Sequence, residues 1–314
     1  MSATLATPGP FRESRLALHL ALGFVAILFS ANYILGKIAL AHFDPLAFAW
    51  LRVSGSFLCL ILVYLRHTTP RVPFSKTEWR LLVVYSLLGI VLNQILFISG
   101  LARTTAQHAA ILIVTIPVFT LLIALILRRE TASPARLVGI LLAAGGALSI
   151  ILRSADGSGA ASLTGDVMIL ANSLFYAAYL VLSKPLMARH SAIRVMTLLF
   201  AFGTVLMIPF SAQAMLNQAW SGITGSAWLA LFLVILGPTV GAYLINGWAL
   251  ARADSSLVAA YVYLQPLLAS IMAAVFLHER METGTAAGAV LIFAGVWLVS
   301  RRSGSRISNG PGKR

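Results

Sequence analysis

The sequence predicts an all-α integral membrane protein, with ten transmembrane helices arranged as two inverted five-helix repeats. Three observations support this prediction: a strongly apolar composition, ten apolar runs of membrane-spanning length, and one long stretch that occurs twice. Of the 314 residues, 59% are apolar and only 10% are charged, and the mean hydropathy is +0.91. Soluble domains carry about 25% charged residues, so this composition places the chain among membrane proteins.

The apolar runs define the expected organisation of the chain. A membrane-spanning helix needs about 20 mostly apolar residues, and the loops between the runs are too short to hold a soluble domain. We expect a disordered cytoplasmic N-terminus (1–16), a first repeat (17–153), a second repeat (164–302) and a basic cytoplasmic tail (303–314). The runs are about 17–40, 45–65, 80–101, 105–127, 134–152, 164–184, 194–212, 227–250, 255–277 and 284–300.

The basic residues predict the orientation. The net charge is +14, and the Lys and Arg residues lie in short loops and tails, so we expect no nucleic-acid partner. If the N-terminus is cytoplasmic, 18 basic residues fall on the cytoplasmic side, and only Arg103, Arg153 and Arg280 fall on the other. The positive-inside rule then predicts that both termini are cytoplasmic.

Residues 101–153 align without a gap to residues 250–302, which lie 149 residues later and keep several of the same residues at matched positions. Each copy is an apolar run, a short charged turn and a second apolar run. Because each half of the chain has five spans, an odd number, the second half enters the membrane inverted. Inverted repeats are typical of secondary transporters, which bind their substrate near the bilayer midplane. The matched residues are Pro117 and Pro266, Glu130 and Glu279, Gly139 and Gly288, and Gly146 and Gly295.

Several short motifs resemble the drug/metabolite transporter superfamily, and specifically its ten-span EamA-type members. Residues 30–37 (SANYILGK) are similar to the family's small-residue, Asn, aromatic and Lys pattern. Leu51 and Arg52 are similar to its Leu/Phe-Arg-aromatic element, although Val53 stands in the aromatic position. The junctions at 100–106 and 249–255 also match, as do the prolines, glutamates and glycines of the repeat. The resemblance covers nearly all of residues 17–300.

The resemblance implies a transporter of small metabolites, often amino acids or drug-like compounds and frequently moved outward. We expect the bacterial cytoplasmic membrane as its location, alternating access as its mechanism, and no cofactor. A non-transporting sensor or scaffold is the alternative. A membrane-embedded enzyme is disfavoured, because the spans lack both a His/Glu cluster and a mid-membrane Asp pair, and the single Cys59 excludes a Cys-based zinc site.

Polar and aromatic side chains near the middle of the spans are the candidates for a substrate cavity. Buried amides and phenols need partners in hydrocarbon, so we expect them to face the bundle interior or a wet cavity. The alternative role is hydrogen bonding between helices, worth about 0.6 kcal/mol each. The candidates are Asn32, Tyr33, Asn93, Gln94, Tyr176, Tyr179, Tyr243, Asn246, Tyr263 and Gln265.

The matched prolines, glutamates and glycines have separate predicted roles. Pro117 and Pro266 fall halfway along spans 4 and 9, where they act as hinges or line the cavity, the alternative being static kinks. Glu130 and Glu279 are expected to stabilise structural turns. The glycines of spans 5 and 10 form a smooth face for close helix packing or for a homodimer.

Three basic side chains inside the spans are candidates for gating. Lys37 lies near a helix end, whereas Arg52 is roughly 10 Å into span 2 and could anchor an outer gate or neutralise an anionic substrate. The alternative for Arg52 is a structural role against helix carbonyls. His108 could couple protons to transport, although a solvated interfacial histidine is the simpler expectation. None of the predicted spans carries Asp or Glu near its middle.

Overall fold

The computed structural model describes residues 15–66, 72–128, 133–155, 161–242, 244–245, 249, 261, 264–280 and 283–300. All regular secondary structure within these residues is helical. The helices are α1 (Arg15–Leu40), α2 (Pro45–Arg66), α3 (Lys76–Arg103), α4 (Ala106–Ile126), α5 (Pro134–Ala155), α6 (Leu163–Arg189), α7 (Ala192–Leu206 and Ile208–Asn217), α8 (Gly225–Gly241), α9 (Leu264–Phe276) and α10 (Thr283–Ser300).

The helix lengths confirm a helical membrane protein. Helices α1 to α6 are each long and apolar enough to cross a bilayer, and α7 qualifies as one span if its two parts, bent by 60°, are joined. In the described residues, α8, α9 and α10 are shorter apolar helices at the places of predicted spans 8, 9 and 10. The count of ten spans therefore stays a prediction for these three.

Two helices of the first half, α1 and α3, run parallel. The ring of Tyr33 on α1 packs edge-on against Phe97 on α3, with 5.9 Å between ring centroids. One turn further along both helices, Gly36 lies against Leu101, whose side chain would be 2.7 Å from a Cβ at Gly36. Both contacts advance in the same direction, so α1 and α3 cross the membrane the same way.

Helix α6 opens the second half and runs against α3. Its start lies beside the end of α3, because a Cβ at Gly100 would be 3.0 Å from the carbonyl oxygen of Gly165. Its end lies beside the start of α3, where His190 Nε2 is 3.0 Å from Glu78 Oε1. Since α3 is parallel to α1, α6 is antiparallel to α1, and the second half is inverted relative to the first.

The packing of the helices has the same inverted symmetry. Helix α1 packs on α8 and α9 of the other half, as α6 packs on α3 and α4. Exchange of the two halves leaves three further helix pairs unchanged, namely α2 with α7, α4 with α9 and α5 with α10. Each half therefore completes the core of the other, which is the arrangement expected of inverted repeats.

Helices α5 and α10 pack through the glycines that the sequence singles out. A Cβ at Gly146 would lie 2.7 Å from the carbonyl oxygen of Gly288, and one at Gly295 would lie 2.4 Å from that of Gly139. Small residues allow this close approach of helix backbones within a membrane. The glycine face is thus used for helix packing inside one chain, and the predicted homodimer has no support from it.

Two adjacent glycines of α5 provide a direct test of this packing. Gly146→Ala should lower the free energy of unfolding by about 1–3 kcal/mol, because the added methyl group meets backbone atoms that cannot move aside. Gly145 is exposed and has no atom within 4 Å of an added Cβ, so Gly145→Ala should leave stability unchanged or raise it by up to about 1 kcal/mol. Thermal unfolding of the purified protein compares the two, and equal shifts would refute the assignment.

Candidate functional site

The structure brings several of the predicted cavity residues into the interior. Asn32, Tyr33, Gln94, Tyr179 and Gln265 are buried, and Asn93 and Tyr176 are half-buried. Tyr243, Asn246 and Tyr263 lie outside the described residues. Burial alone does not separate a substrate site from helix packing, so the hydrogen bonds of each side chain decide the matter.

A layer of polar groups from three helices lies at one level in the bundle. Ser30 Oγ on α1 donates to the Gln265 carbonyl oxygen on α9, at 3.1 Å. Gln94 on α3 lies three residues before Phe97, as Ser30 lies three residues before Tyr33, so the contact of Phe97 with Tyr33 sets Gln94 level with Ser30. We call Ser30, Asn32, Gln94 and Gln265 the polar layer.

Two amide oxygens of the polar layer are open. Asn32 Oδ1 and Gln94 Oε1 are buried and have no hydrogen-bond partner among the described residues. Leaving a buried acceptor without a partner costs about 1–3 kcal/mol, which is why such atoms are rare and call for an explanation. Both open atoms are acceptors, so the layer suits a ligand that donates hydrogen bonds.

Neighbouring polar groups are fully engaged and have structural roles. Asn172 Nδ2 on α6 donates to the Asn93 carbonyl oxygen on α3 at 2.8 Å, and Gln94 Nε2 lies 3.4 Å from Asn93 Oδ1. Asn172 therefore joins α6 to α3, a role the sequence did not separate from substrate binding.

The aromatic candidates form two groups. Tyr33 packs on Phe97 beside the polar layer. The ring centroids of Tyr176 and Tyr179 on α6 lie 5.8 Å apart. The Tyr179 ring packs on the backbone of α3 at Gly89, where an added Cβ would lie 2.5 Å from the ring. Tyr179 thus fixes the distance between α3 and α6.

Helices α3 and α8 each contain a π-helical segment, which the sequence analysis missed. The segments are Leu87–Leu92 and Ile235–Gly241, and they coincide under the 149-residue offset of the repeat. Gly89 and Pro238 hold the matched position, and this pair of helix-weakening residues is the signal that could have revealed them. A π turn is a local weak point in a helix and is frequent at functional sites.

Arg52 is tied to the π segment of α8. Its Nε donates to Thr239 Oγ1 at 3.1 Å, and Thr239 Oγ1 donates to the Val234 carbonyl oxygen at 2.8 Å. Val234 lies five residues before Thr239, so the π geometry exposes the carbonyl that the threonine uses. The buried Arg52 on α2 therefore joins the two halves.

Lys37 is half-buried on α1, close enough to Glu279 for electrostatic attraction.

The matched prolines lie near the starts of helical segments. Helix α4 is interrupted after Ile113, where the amides of Val114 and Thr115 bond to carbonyls three residues back, and Pro117 is the second residue of the segment that follows. Pro266 is buried as the third residue of α9, and residues 262–263 lie outside the described part. A break in α4 at Pro117 fits a hinge and a static kink equally well.

A buried network closes one end of the bundle, which we call the His108 face. His108 Nδ1 on α4 is 2.9 Å from Asp166 Oδ2 on α6, and His108 Nε2 is 2.9 Å from Thr285 Oγ1 on α10. Asp166 also accepts from the Thr104 hydroxyl. The structure thus buries His108, which the sequence analysis expected to be solvated, and it adds Asp166, which the sequence analysis did not single out.

Glu279 caps α4 at the same face. Its carboxylate oxygens accept from the backbone amides of Ala106 at 2.9 Å and Gln107 at 3.2 Å. The first amides of a helix have no partner within the helix, so a glutamate from the end of α9 satisfies them across the repeat boundary. Glu130, its counterpart in the first repeat, lies outside the described residues.

The opposite end, the His190 face, is closed by a different cluster. Glu78 on α3 is 3.0 Å from His190 Nε2 and 3.3 Å from Arg189 Nη1 at the end of α6. The Phe74 ring lies between His190, at 3.9 Å from centroid to centroid, and Arg194, at 4.4 Å. The segment before α3 is thereby held on the junction of α6 and α7, and side-chain contacts join the two halves at both faces of the described bundle.

The described residues contain no group of three or more His, Cys, Asp or Glu side chains that could hold a metal ion. The arrangement they do form is a buried polar layer with unpartnered acceptors, with bonds across the inverted halves at each end.

Comparison with known proteins assigns the family. The EamA-like transporter family matches residues 17–152 and again residues 163–301. The chain belongs to the EamA-like transporter family. Its two matches correspond to the two inverted halves, since the first contains α1 to α5 and the second contains α6 to α10.

Several relatives of this EamA-like protein are named as transporters. An uncharacterised transporter of Archaeoglobus fulgidus is 30% identical over 90% of this chain and 97% of the relative. A probable amino-acid metabolite efflux pump of Salmonella typhimurium is 28% identical over 88% and 93%. A probable terminal-alkyne amino-acid exporter of Streptantibioticus cattleyicolor is 29% identical over 72% and 75%. A solved crystal structure matches 91% of this chain and 98% of its own, with a TM-score of 0.61 at 21% identity, which supports the fold alone.

The bond between Arg52 and Thr239 yields a prediction for stability. Thr239→Val should destabilise the protein by about 1.5–3 kcal/mol, because it removes a hydrogen-bond partner from a buried charged group. Thr204→Val is the matched control, since among the described residues the Thr204 hydroxyl bonds to the Phe200 carbonyl of its own helix. Thermal unfolding of both variants in one detergent decides the matter. Similar losses in both would show that the bond between the halves contributes little.

Proposed function

We propose that this EamA-like transporter exports a small amino-acid-like metabolite by alternating access around the polar layer. One observation carries the proposal: Asn32 Oδ1 and Gln94 Oε1 are buried acceptors without a partner among the described residues. Each unpartnered acceptor lowers the stability of the protein. A ligand that donates hydrogen bonds to both atoms would remove this cost when it binds.

The chemistry of the open atoms favours an ammonium group. An α-ammonium is a three-proton donor without acceptors, so it matches amide oxygens that lack a donor. The Tyr33 ring, packed on Phe97 beside the layer, adds an aromatic surface that suits both a cation and an apolar side chain. Two relatives named as amino-acid exporters or efflux pumps support the same substrate class and the outward direction.

The inverted architecture supports alternating access. Unlike contacts join the two halves at the two faces, a His–Asp–Thr network at one end and a Glu–His–Arg cluster at the other. Exchange of the roles of the two halves would open one face while the other stays closed. The matched π segments of α3 and α8 are at the right places to absorb the bending. The excess of basic residues on one side supports cytoplasmic termini in a bacterial inner membrane.

Counterflow into proteoliposomes tests the proposed substrate class. Liposomes loaded with a candidate amino acid should take up the same labelled compound in trace amounts, whereas liposomes that contain no protein should not. Amines without a carboxylate and carboxylic acids without an amine serve as comparators that test the role of the ammonium group. Absence of uptake for every amino acid in a broad panel would reject the proposal and favour the sensor or scaffold alternative.

Gln94→Met separates substrate binding from packing. This change removes an amide with an unpartnered oxygen and keeps the side-chain length, so thermal stability should stay equal or rise. The rate of counterflow should fall about tenfold or more, because the substrate loses one or two hydrogen bonds. Gln213→Met on the exposed part of α7, where Gln213 bonds to Asn217, should change neither quantity. If Gln94 were structural, stability and transport would fall together.

A further inference from the structure

His108 links three helices of the two halves at a single point. It lies in the first turn of α4, and its ring contacts Asp166 in the first turn of α6 and Thr285 near the start of α10. Asp166 is 0% exposed and His108 is 8% exposed. Opening this face requires α4 to separate from α6 or α10, so the bonds of the imidazole must break whenever the face opens.

The partners of His108 can accommodate an added proton. The Thr285 hydroxyl accepts from a ring N–H as readily as it donates to a bare ring nitrogen. The Asp166 carboxylate accepts from the other ring N–H in either case. A histidine is also the side chain whose charge changes between about pH 5 and pH 8. The ring therefore keeps both hydrogen bonds when it becomes a cation, and gains charge attraction to Asp166.

The charged groups around the pair are few. Glu279 at the end of α9 caps the first amides of α4 and attracts Lys37 of α1. Arg103 at the end of α3 is exposed and donates to the Ser99 carbonyl oxygen. Arg153 at the end of α5 lies against Gly284 of α10. Of the groups that the structure describes near His108, Asp166 is the carboxylate in direct contact with the ring.

We propose that His108 and Asp166 form a proton-binding latch, which holds the His108 face closed when the imidazole is protonated and releases it when the proton leaves. The latch rests on the proposed function in one respect, that the two faces open in alternation. A proton thereby becomes a second ligand of this transporter, bound at the end of the bundle and not in the polar layer.

The sign of the effect follows from the charge. A protonated ring next to a fully buried carboxylate forms a pair of opposite charges at 2.9 Å, and burial strengthens that attraction. Loss of the proton removes the positive charge while the carboxylate stays buried, which weakens the link between α4 and α6. The closed face is therefore favoured at low pH and loses this support as the pH rises.

The His190 face has a similar pair with a different surrounding. Glu78 is held by Arg189 at 3.3 Å and by the Ser75 backbone amide at 2.7 Å, in addition to His190. Arginine is always protonated in proteins, so Glu78 keeps a cationic partner when His190 is neutral. The same proton loss should have little effect on that face, which makes it an internal comparison.

Cysteine accessibility measures the latch without any transported solute. The chain has one cysteine, so Cys59→Ser leaves a background without thiols. Ala106→Cys then places a reporter at the start of α4, where Ala106 is 0% exposed. The protein is held in lipid nanodiscs and treated with a charged thiol reagent. Thiol reactivity itself rises with pH, so each rate is divided by that of Ser221→Cys, an exposed site on the loop before α8.

The rate ratio should rise about tenfold between about pH 5 and pH 8 in the parent, the range in which an unperturbed histidine side chain changes its charge. In His108→Gln and in Asp166→Asn the ratio should be independent of pH. His278→Asn changes an exposed histidine with φ of 56° near the same face, a conformation that asparagine tolerates, and it should keep the parent profile. The latch is overturned if the rate ratio of the parent does not change with pH. It is also overturned if the rise persists in the folded His108→Gln or Asp166→Asn protein.

The outcome is separate from that of the transport assay. A protein that shows the predicted labelling profile but transports no amino acid would keep the latch and lose the proposed substrate. A protein that transports amino acids while its labelling profile ignores His108 would lose the latch and keep the substrate. If His108→Gln fails to fold, Asp166→Asn decides alone, because it keeps the shape of the carboxylate and removes its charge.

Discussion

The absence of water from the bilayer core is the constraint on which this structure depends. Every buried backbone and side-chain polar group there must find its partner inside the protein. The backbone meets this demand by forming helices, and the side chains meet it across the boundary between the two halves. Arg52 bonds to Thr239, Ser30 to the Gln265 carbonyl, and Ser86 to the Leu199 carbonyl.

These bonds explain why the inverted halves form one body. Each joins a helix of the first half to a helix of the second, and two of them involve the ends or interiors of the π segments. A π turn leaves backbone groups out of the regular helical ladder. In α8 the Val234 carbonyl accepts from the Thr239 hydroxyl, and that hydroxyl in turn accepts from Arg52 of the first half.

Against this background Asn32 Oδ1 and Gln94 Oε1 are buried acceptors without a hydrogen-bond partner among the described residues, a state that His190 Nδ1 and Ser270 Oγ share. Their neighbours Asn172, Ser30 and Thr239 each donate a hydrogen bond to a backbone carbonyl. The polar layer also lies between two clusters that differ in charge chemistry, Asp166 with His108 at one end and Glu78 with Arg189 and His190 at the other. The proposal of alternating access rests on this arrangement.

The sequence by itself determined the membrane class, the helix lengths of the first seven spans, the duplication and its inversion, because all of these follow from local composition, charge and period. It also singled out Gly146 and Gly295, since small residues at matched places are themselves the packing signal. Only the tertiary structure decided which polar residues are open and which are paired, because Gln94 and Asn172 are both amides in apolar runs and differ only in their neighbours. The same holds for His108, whose burial depends on Asp166 and Thr285, which lie 58 and 177 residues away along the chain. Hydrogen bonds between distant helices leave no periodic trace in the sequence, so their partners emerge only when the helices are packed.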